Sequence, residues 1–107
     1  MRSTKIKVSN DFSHTPAGRY RDDGPYSGEA FREDILVPAL KNYDQVVVDL
    51  DDVEGFGSSF LEEAFGGLIR HGHITKSDAL KKLVLQTNDV ALAEEIKEYI
   101  EQGCGQQ

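Results

Sequence analysis

The order of apolar segments predicts a small α/β domain, with a mixed, mostly parallel sheet of about four strands and helices packed mainly on one face. Three observations carry that expectation. Residues 46–50 are apolar on consecutive positions except at Asp49, the pattern of a central parallel strand covered on both faces. Phe60, Leu61, Ala64, Phe65, Leu68 and Ile69 repeat as a helical stripe that faces a sheet, leaving Glu62 and Glu63 toward water. Leu83-Val84-Leu85 then returns as another buried strand, so strands alternate with crossover helices.

The remaining elements follow from the same periodicities. Ile6 and Val8 alternate with Lys7 and Ser9, which reads as a short half-buried strand, after which Phe12 packs inward. Residues 13–18 form a turn, Arg19-Tyr20-Arg21 a second short strand, and Asp22-Asp23-Gly24-Pro25 a break. Ser27 is placed to cap the first helix, whose apolar face is Phe31, Ile35, Leu36, Ala39 and Leu40. Pro38 lies inside that pattern and is expected to kink or shorten the helix near Val37. Gly72 is a C-terminal cap for the second helix. Asn88 or Asp89 caps a last helix carrying Leu92, Ile96, Tyr99 and Ile100. Gly66 and Gly67 each cost about 1 kcal/mol relative to Ala in a helix, which calls for a close approach of the helix to the sheet or to a partner.

Size and charge narrow the function classes. A chain of 107 residues forms one domain, expected over residues 1–102, with 103–107 as a tail. Its net charge of −7, from 19 acidic and 12 basic residues, argues against a nucleic-acid partner and for a protein partner with a basic surface. The single cysteine, Cys104, has no partner for an internal disulfide. With no signal-peptide pattern and no apolar run long enough to span a bilayer, a cytoplasmic setting without membrane contact is expected.

The informative segment is the turn between the central strand and the second helix, Asp51-Asp52-Val53-Glu54-Gly55-Phe56-Gly57-Ser58-Ser59. Ser59 followed by Glu62 matches a capping box, which leaves Ser58 beside Gly55 and Gly57 without a structural task. A phosphate on Ser58 would meet free helix amides and the positive end of the helix dipole, while adding about −1.5 to −2 charge to an acidic surface.

Residues 46–68 resemble the signature of STAS domains, the fold of bacterial anti-sigma factor antagonists, in which a strand ending in Asp-Leu leads to Asp-Ser-Ser-Gly-Leu at a helix start. Gly57 stands where that pattern has Asp, and Phe60 where it has Gly. Gly-Pro-Tyr-Ser-Gly-Glu and Ser-Ser-Phe-Leu-Glu-Glu-Ala-Phe-Gly-Gly-Leu are more similar to the uncharacterised bacterial STAS-like family, over about residues 5–100. The resemblance implies a non-catalytic regulatory module without cofactor. It puts the phosphoacceptor at Ser58 or Ser59 and the partner surface at Asp51, Gly55, Phe56, Gly57, Ser58, Ser59 and Glu62. The implied partner is a histidine-kinase-like ATPase or an anti-sigma factor.

Other residues support competing readings. The loop from Gly24 to Glu29 precedes a helix and, with Arg19, Ser27, Gly28 and Arg32, is the candidate for binding an anion or nucleotide. It lacks the spacing of a phosphate loop. Arg19, Arg21 and Arg32 are more simply surface partners of Asp22, Asp23 and Glu29. His71 and His73 lack a third ligand by spacing and read as helix-terminal histidines, so no metal is expected. Asp49, Asp51, Asp52 and Glu54 resemble a receiver-type acid cluster, but Lys81 and Lys82 precede the last strand instead of following it, and a solvated acidic turn is the simpler account.

Overall fold

The computed structural model describes residues 2–103. In chain order the elements are β1 (Ser3–Lys7), α1 (Val8–Asp11), a 3-10 turn (Arg21–Asp23), α2 (residues 28–42), β2 (Gln45–Asp49), α3 (residues 58–70), α4 (Lys76–Lys82), β3 (Leu83–Gln86) and α5 (Val90–Gln102). Both long crossover helices widen once, α2 through a π turn at Arg32–Leu36 and α3 through one at Glu62–Gly66.

The sheet has three strands in the order β1-β2-β3, and both pairings are parallel. Ile6 lies opposite Val48, and Val48 opposite Leu85. Ile6, Val46, Val48 and Leu83 are buried with Phe31, Phe60, Phe65, Leu61, Leu68 and Ile96 in one core. The other face carries Lys5, Val47 and Val84 in register, and Val84 remains 40% exposed. The strand at residues 46–50 is therefore covered on one face, not two. Topology explains this. Successive right-handed crossovers that advance in one direction across a sheet put their helices on one side, and an order of 1-2-3 never reverses.

The expected fourth strand at Arg19–Arg21 is absent among the described residues. Asp23 accepts from the amides of Arg19 at 3.1 Å and Tyr20 at 2.9 Å, which satisfies locally the donors that a strand would offer a neighbour. Val8 does not extend β1 but opens α1. Pro38 does not end α2, which runs on to Asn42. The π turn closes just before it, so the bond that proline cannot donate falls where the ladder already changes register. Helix α4 went unread in the sequence, although Thr75 caps it by accepting from the Asp78 amide at 3.1 Å. Ser27 and Asp89 cap α2 and α5 as read.

Helix α3 ends in a Schellman motif. Gly72 (φ +74) donates to Ile69, and His73 donates to the carbonyl of Leu68 at 2.9 Å. Gly66 and Gly67 serve a close approach, though to neighbouring helices and not to the sheet or a partner as expected. A Cβ on Gly66 would stand 3.3 Å from the Tyr99 carbonyl of α5, and one on Gly67 would collide with the Arg32 guanidinium of α2. Gly103, expected to begin the tail, is buried against Ile69. Residues 104–107, with Cys104, lie outside the described residues.

Candidate functional site

The turn after β2 is tied on both sides. Asp49 accepts from the Asp51 amide at 3.0 Å, and Asp51 accepts from Thr87 and from the Asn88 amide, each at 3.2 Å, which joins the turn to the β3–α5 connection. On the other side the Glu54 amide donates to His14 at 3.0 Å, and Lys7 holds Asp52 at 2.9 Å. Asp52 adopts φ +67, a left-handed conformation that aspartate tolerates better than most residues. The lysines facing the acidic cluster are thus Lys5 and Lys7 of β1, 3.8 and 3.6 Å from Asp49, not Lys81 or Lys82.

Gly57 is the N-cap of α3 and contributes no side chain to it. Ser58 and Ser59 occupy the first two helical positions, both exposed, and neither hydroxyl has a partner among the described residues. The amides of residues 58–60 open the helix, where no intrahelical acceptor exists. The capping box expected between Ser59 and Glu62 does not form. Glu62 turns away to bind Arg19 and, at 2.6 Å, Arg70, because two charged donors outweigh one amide. Glu62 therefore lies apart from the exposed surface of the turn.

Around the serines, Gly55 and Gly57 are exposed and have open space where a side chain would project. Phe60 points inward and is 1% exposed, so it leaves Ser58 accessible. Beneath the turn a row of aromatic rings runs from half-buried Phe56 to Phe60 (5.8 Å), Phe12 (6.2 Å) and exposed Tyr26 (5.5 Å). A groove of about 390 Å³ leads from the turn toward α5, with Leu50, Val53, Phe56 and Leu92 among its walls. Its charged groups are acidic: Asp51, Asp52, Glu54, Asp89 and Glu95.

The arginines behave otherwise. Arg32 and Glu63, each with a side chain 3% exposed, pair at 2.7 Å between α2 and α3. Arg32 also donates to the Glu63 carbonyl and to Glu33, both at 2.7 Å. Arg19 and Arg70 each reach Glu63 at 3.1 Å, and His73 meets Glu33 at 2.8 Å. Burial alone would push the Glu62, Glu63 and Glu33 carboxyls up, but the neighbouring guanidiniums, with His73 at Glu33, hold all three below the usual carboxylate range. Arg19 and Arg70 are held up chiefly by their bonds to Glu62. No guanidinium of Arg19, Arg21 or Arg32 pairs with Asp22, Asp23 or Glu29 as expected: Arg19 pairs with Glu62 and Glu63, Arg32 with Glu33 and Glu63, and Arg21 with Asp34 at 3.0 Å.

The loop before α2 likewise has its donors engaged. Gly28 donates to Gly18 and Glu29 to Arg19, both at 3.0 Å, and Ala30 donates to the fully buried Ser27 hydroxyl at 3.1 Å. A Cβ on Gly28 would come within 2.5 Å of the Phe60 carbonyl, so the start of α2 lies under the start of α3. At Arg19, Ser27, Gly28 and Arg32 the guanidiniums are paired with carboxylates, the Gly28 amide is engaged and Ser27 is fully buried, which disfavours an anion there. Among the described residues no three His, Cys, Asp or Glu side chains are grouped to hold a metal ion, and no helix is long and apolar enough to cross a membrane.

These features define a small parallel α/β domain that offers an exposed serine turn at the carboxyl end of its central strand. The chain belongs to the family described as STAS-like domain of unknown function, whose model matches residues 27–90, from the cap of α2 to the start of α5. No curated protein and no solved structure matches it.

Proposed function

We propose that this domain is a non-catalytic regulatory binding module of the anti-sigma-antagonist kind, acting in the cytoplasm, whose turn at Gly55, Phe56, Gly57, Ser58 and Ser59 docks on a protein partner. The partner is a histidine-kinase-like ATPase or anti-sigma factor with a basic contact surface. It transfers the γ-phosphoryl group of ATP to the Ser58 oxygen, and the hydroxyl proton passes to a base of the kinase. ATP, magnesium and base all come from the partner, and this chain supplies the acceptor.

One observation carries the reading: the Ser58 hydroxyl is exposed and unengaged at the open start of a 13-residue helix. The first amides and the dipole of α3 accommodate a phosphate without unfolding the chain. A partner that covers Phe56 and the turn would then have to bury a dianion, so phosphorylation releases it. The acidic groove beside the turn supports a basic partner. The competing class, a nucleotide or small-ligand site on the Gly24–Glu29 loop, is disfavoured by the engaged amides and paired arginines there.

Photocrosslinking from Gly57 in the native host captures the partner, and its affinity is then measured for the wild type, Ser58→Ala and Ser58→Asp. Weaker binding by Ser58→Asp alone is expected, together with a phosphorylated Ser58 peptide in mass spectra. Equal affinity for all three chains would leave a constitutive interaction domain without a switch.

A further inference from the structure

At the opposite end of α3 from the serines, a cavity of about 530 Å³ opens between the last turns of α2 and the segment leading into α4. Its floor is apolar, made by Val37, Leu40 and Ile69, all less than a tenth exposed, with Ile74 beside them. That volume lies within the range of small-molecule sites, roughly 300–1,000 Å³.

The rim carries lysines without a carboxylate partner. Of the twelve Lys and Arg residues, Lys5, Lys7, Arg19, Arg21, Arg32 and Arg70 pair with carboxylates, and among the described residues the other six do not. Lys41 and Lys82, which line the cavity, pair with none among the described residues. Among the described residues the only polar contact of the Lys82 ammonium is the Leu40 carbonyl at 3.3 Å, which leaves further donors and the full charge available. Asp78 is the one carboxylate of the lining, and His73 is already held by Glu33. Two lysines and one aspartate leave a single net positive charge over an apolar floor.

We propose that this cavity is a binding site for a small organic monocarboxylate with an apolar body. The carboxylate lies against Lys41 and Lys82, and the body packs on Val37, Leu40 and Ile69. Asp78 excludes dianions and takes a hydroxyl donor if the ligand has one. The site is independent of the serine turn, from which the length of α3 separates it.

The test uses the full chain labelled with ¹⁵N and titrated with hexanoate, hexanol and hexylamine. Hexanoate is expected to bind with a Kd on the order of 1 mM, the affinity reasonable for a fragment of that size. Its shifts should centre on the amides of Leu40, Lys41, Gly72 and Lys82. Hexanol should bind several-fold more weakly, and hexylamine more weakly still. A Lys41→Met, Lys82→Gln double variant should lose about tenfold for hexanoate, the worth of roughly 1.4 kcal/mol, and keep the affinity for hexanol, which also reports that the cavity is intact. Equal affinities for hexanoate and hexanol, shifts centred elsewhere, no saturation by about 20 mM, or undiminished hexanoate binding by a folded double variant would each overturn the proposal.

Discussion

Two helices of this domain begin at a serine, and the serines have opposite fates. Ser27 is fully buried and its hydroxyl caps α2 by accepting from Ala30, whereas Ser58 is exposed and caps nothing. Position is the first reason: Ser27 is the N-cap of α2, whereas Ser58 is the first helical residue of α3, behind its N-cap Gly57. The second is how the helices stack. The backbone at Phe60 closes over Gly28, so the start of α3 covers the start of α2, while nothing among the described residues covers the start of α3. A serine becomes structural when it holds the cap position and a neighbour excludes water from it. One residue further on, and facing water, it stays available.

The same contrast runs along α3 itself. Its start has unengaged hydroxyls and amides, and four residues later every charged group is held by a partner of opposite sign. The largest expected effect tests that second region. Arg32→Met leaves Glu63 buried with the half-exposed Arg19, Arg70 and His71 around it, and should cost about 3 kcal/mol, near the lower bound for breaking a buried pair. A urea unfolding midpoint measures it. If the loss is under about 1 kcal/mol, the cluster is no more than a surface network.

Acid sharpens the same comparison. Glu33, Glu62 and Glu63 ionise more readily in the folded chain than at the ordinary value of 4.5. Their contribution to stability is therefore complete above that value and fades as pH falls through the depressed folded values. Melting temperature should drop from about pH 4.5 downward, and the drop should be smaller in a Glu62→Gln, Glu63→Gln variant, which starts from a lower stability.

The serines themselves give the next pair. Ser27→Ala removes a buried cap and should cost about 1–2 kcal/mol, whereas Ser58→Ala should stay within about 0.5 kcal/mol. Equal losses in calorimetric melting would mean that Ser58 has a structural task after all. The smallest effect is a gain. Gly57 has φ −76 and open space around it, so Gly57→Asp supplies the side-chain cap that α3 lacks and should raise stability by a few tenths of a kcal/mol.

Much of the architecture was legible in local pattern. Consecutive apolar positions marked β2, the helical stripe from Phe60 to Ile69 marked α3, the pair Asn88-Asp89 marked the cap of α5, which falls on Asp89, and Gly72 marked the turn that ends α3. Segments whose backbone is satisfied by their own side chains were read poorly. Asp23 turns Arg19–Arg21 away from the sheet, and Thr75 opens a helix whose apolar content is too small to show a stripe. Within the candidate site, the serines and glycines of the turn were visible because few residue types suit a strand-to-helix junction. The role of Glu62 was misread, since its competing partners Arg19 and Arg70 come from distant or non-capping positions.

Sequence alone therefore determined the alternation of strands and helices, a helix start at the serine pair and the need for glycine at positions 66 and 67, while the cap itself falls on Gly57 and not on Ser59. These depend on local periodicity and backbone chemistry. Tertiary structure decided which face of the sheet is bare, which serine is sealed and which carboxylate meets which guanidinium. Those outcomes depend on crossover direction and on side chains brought together from α2, α3 and the loop before them, distances along the chain over which no local pattern reports.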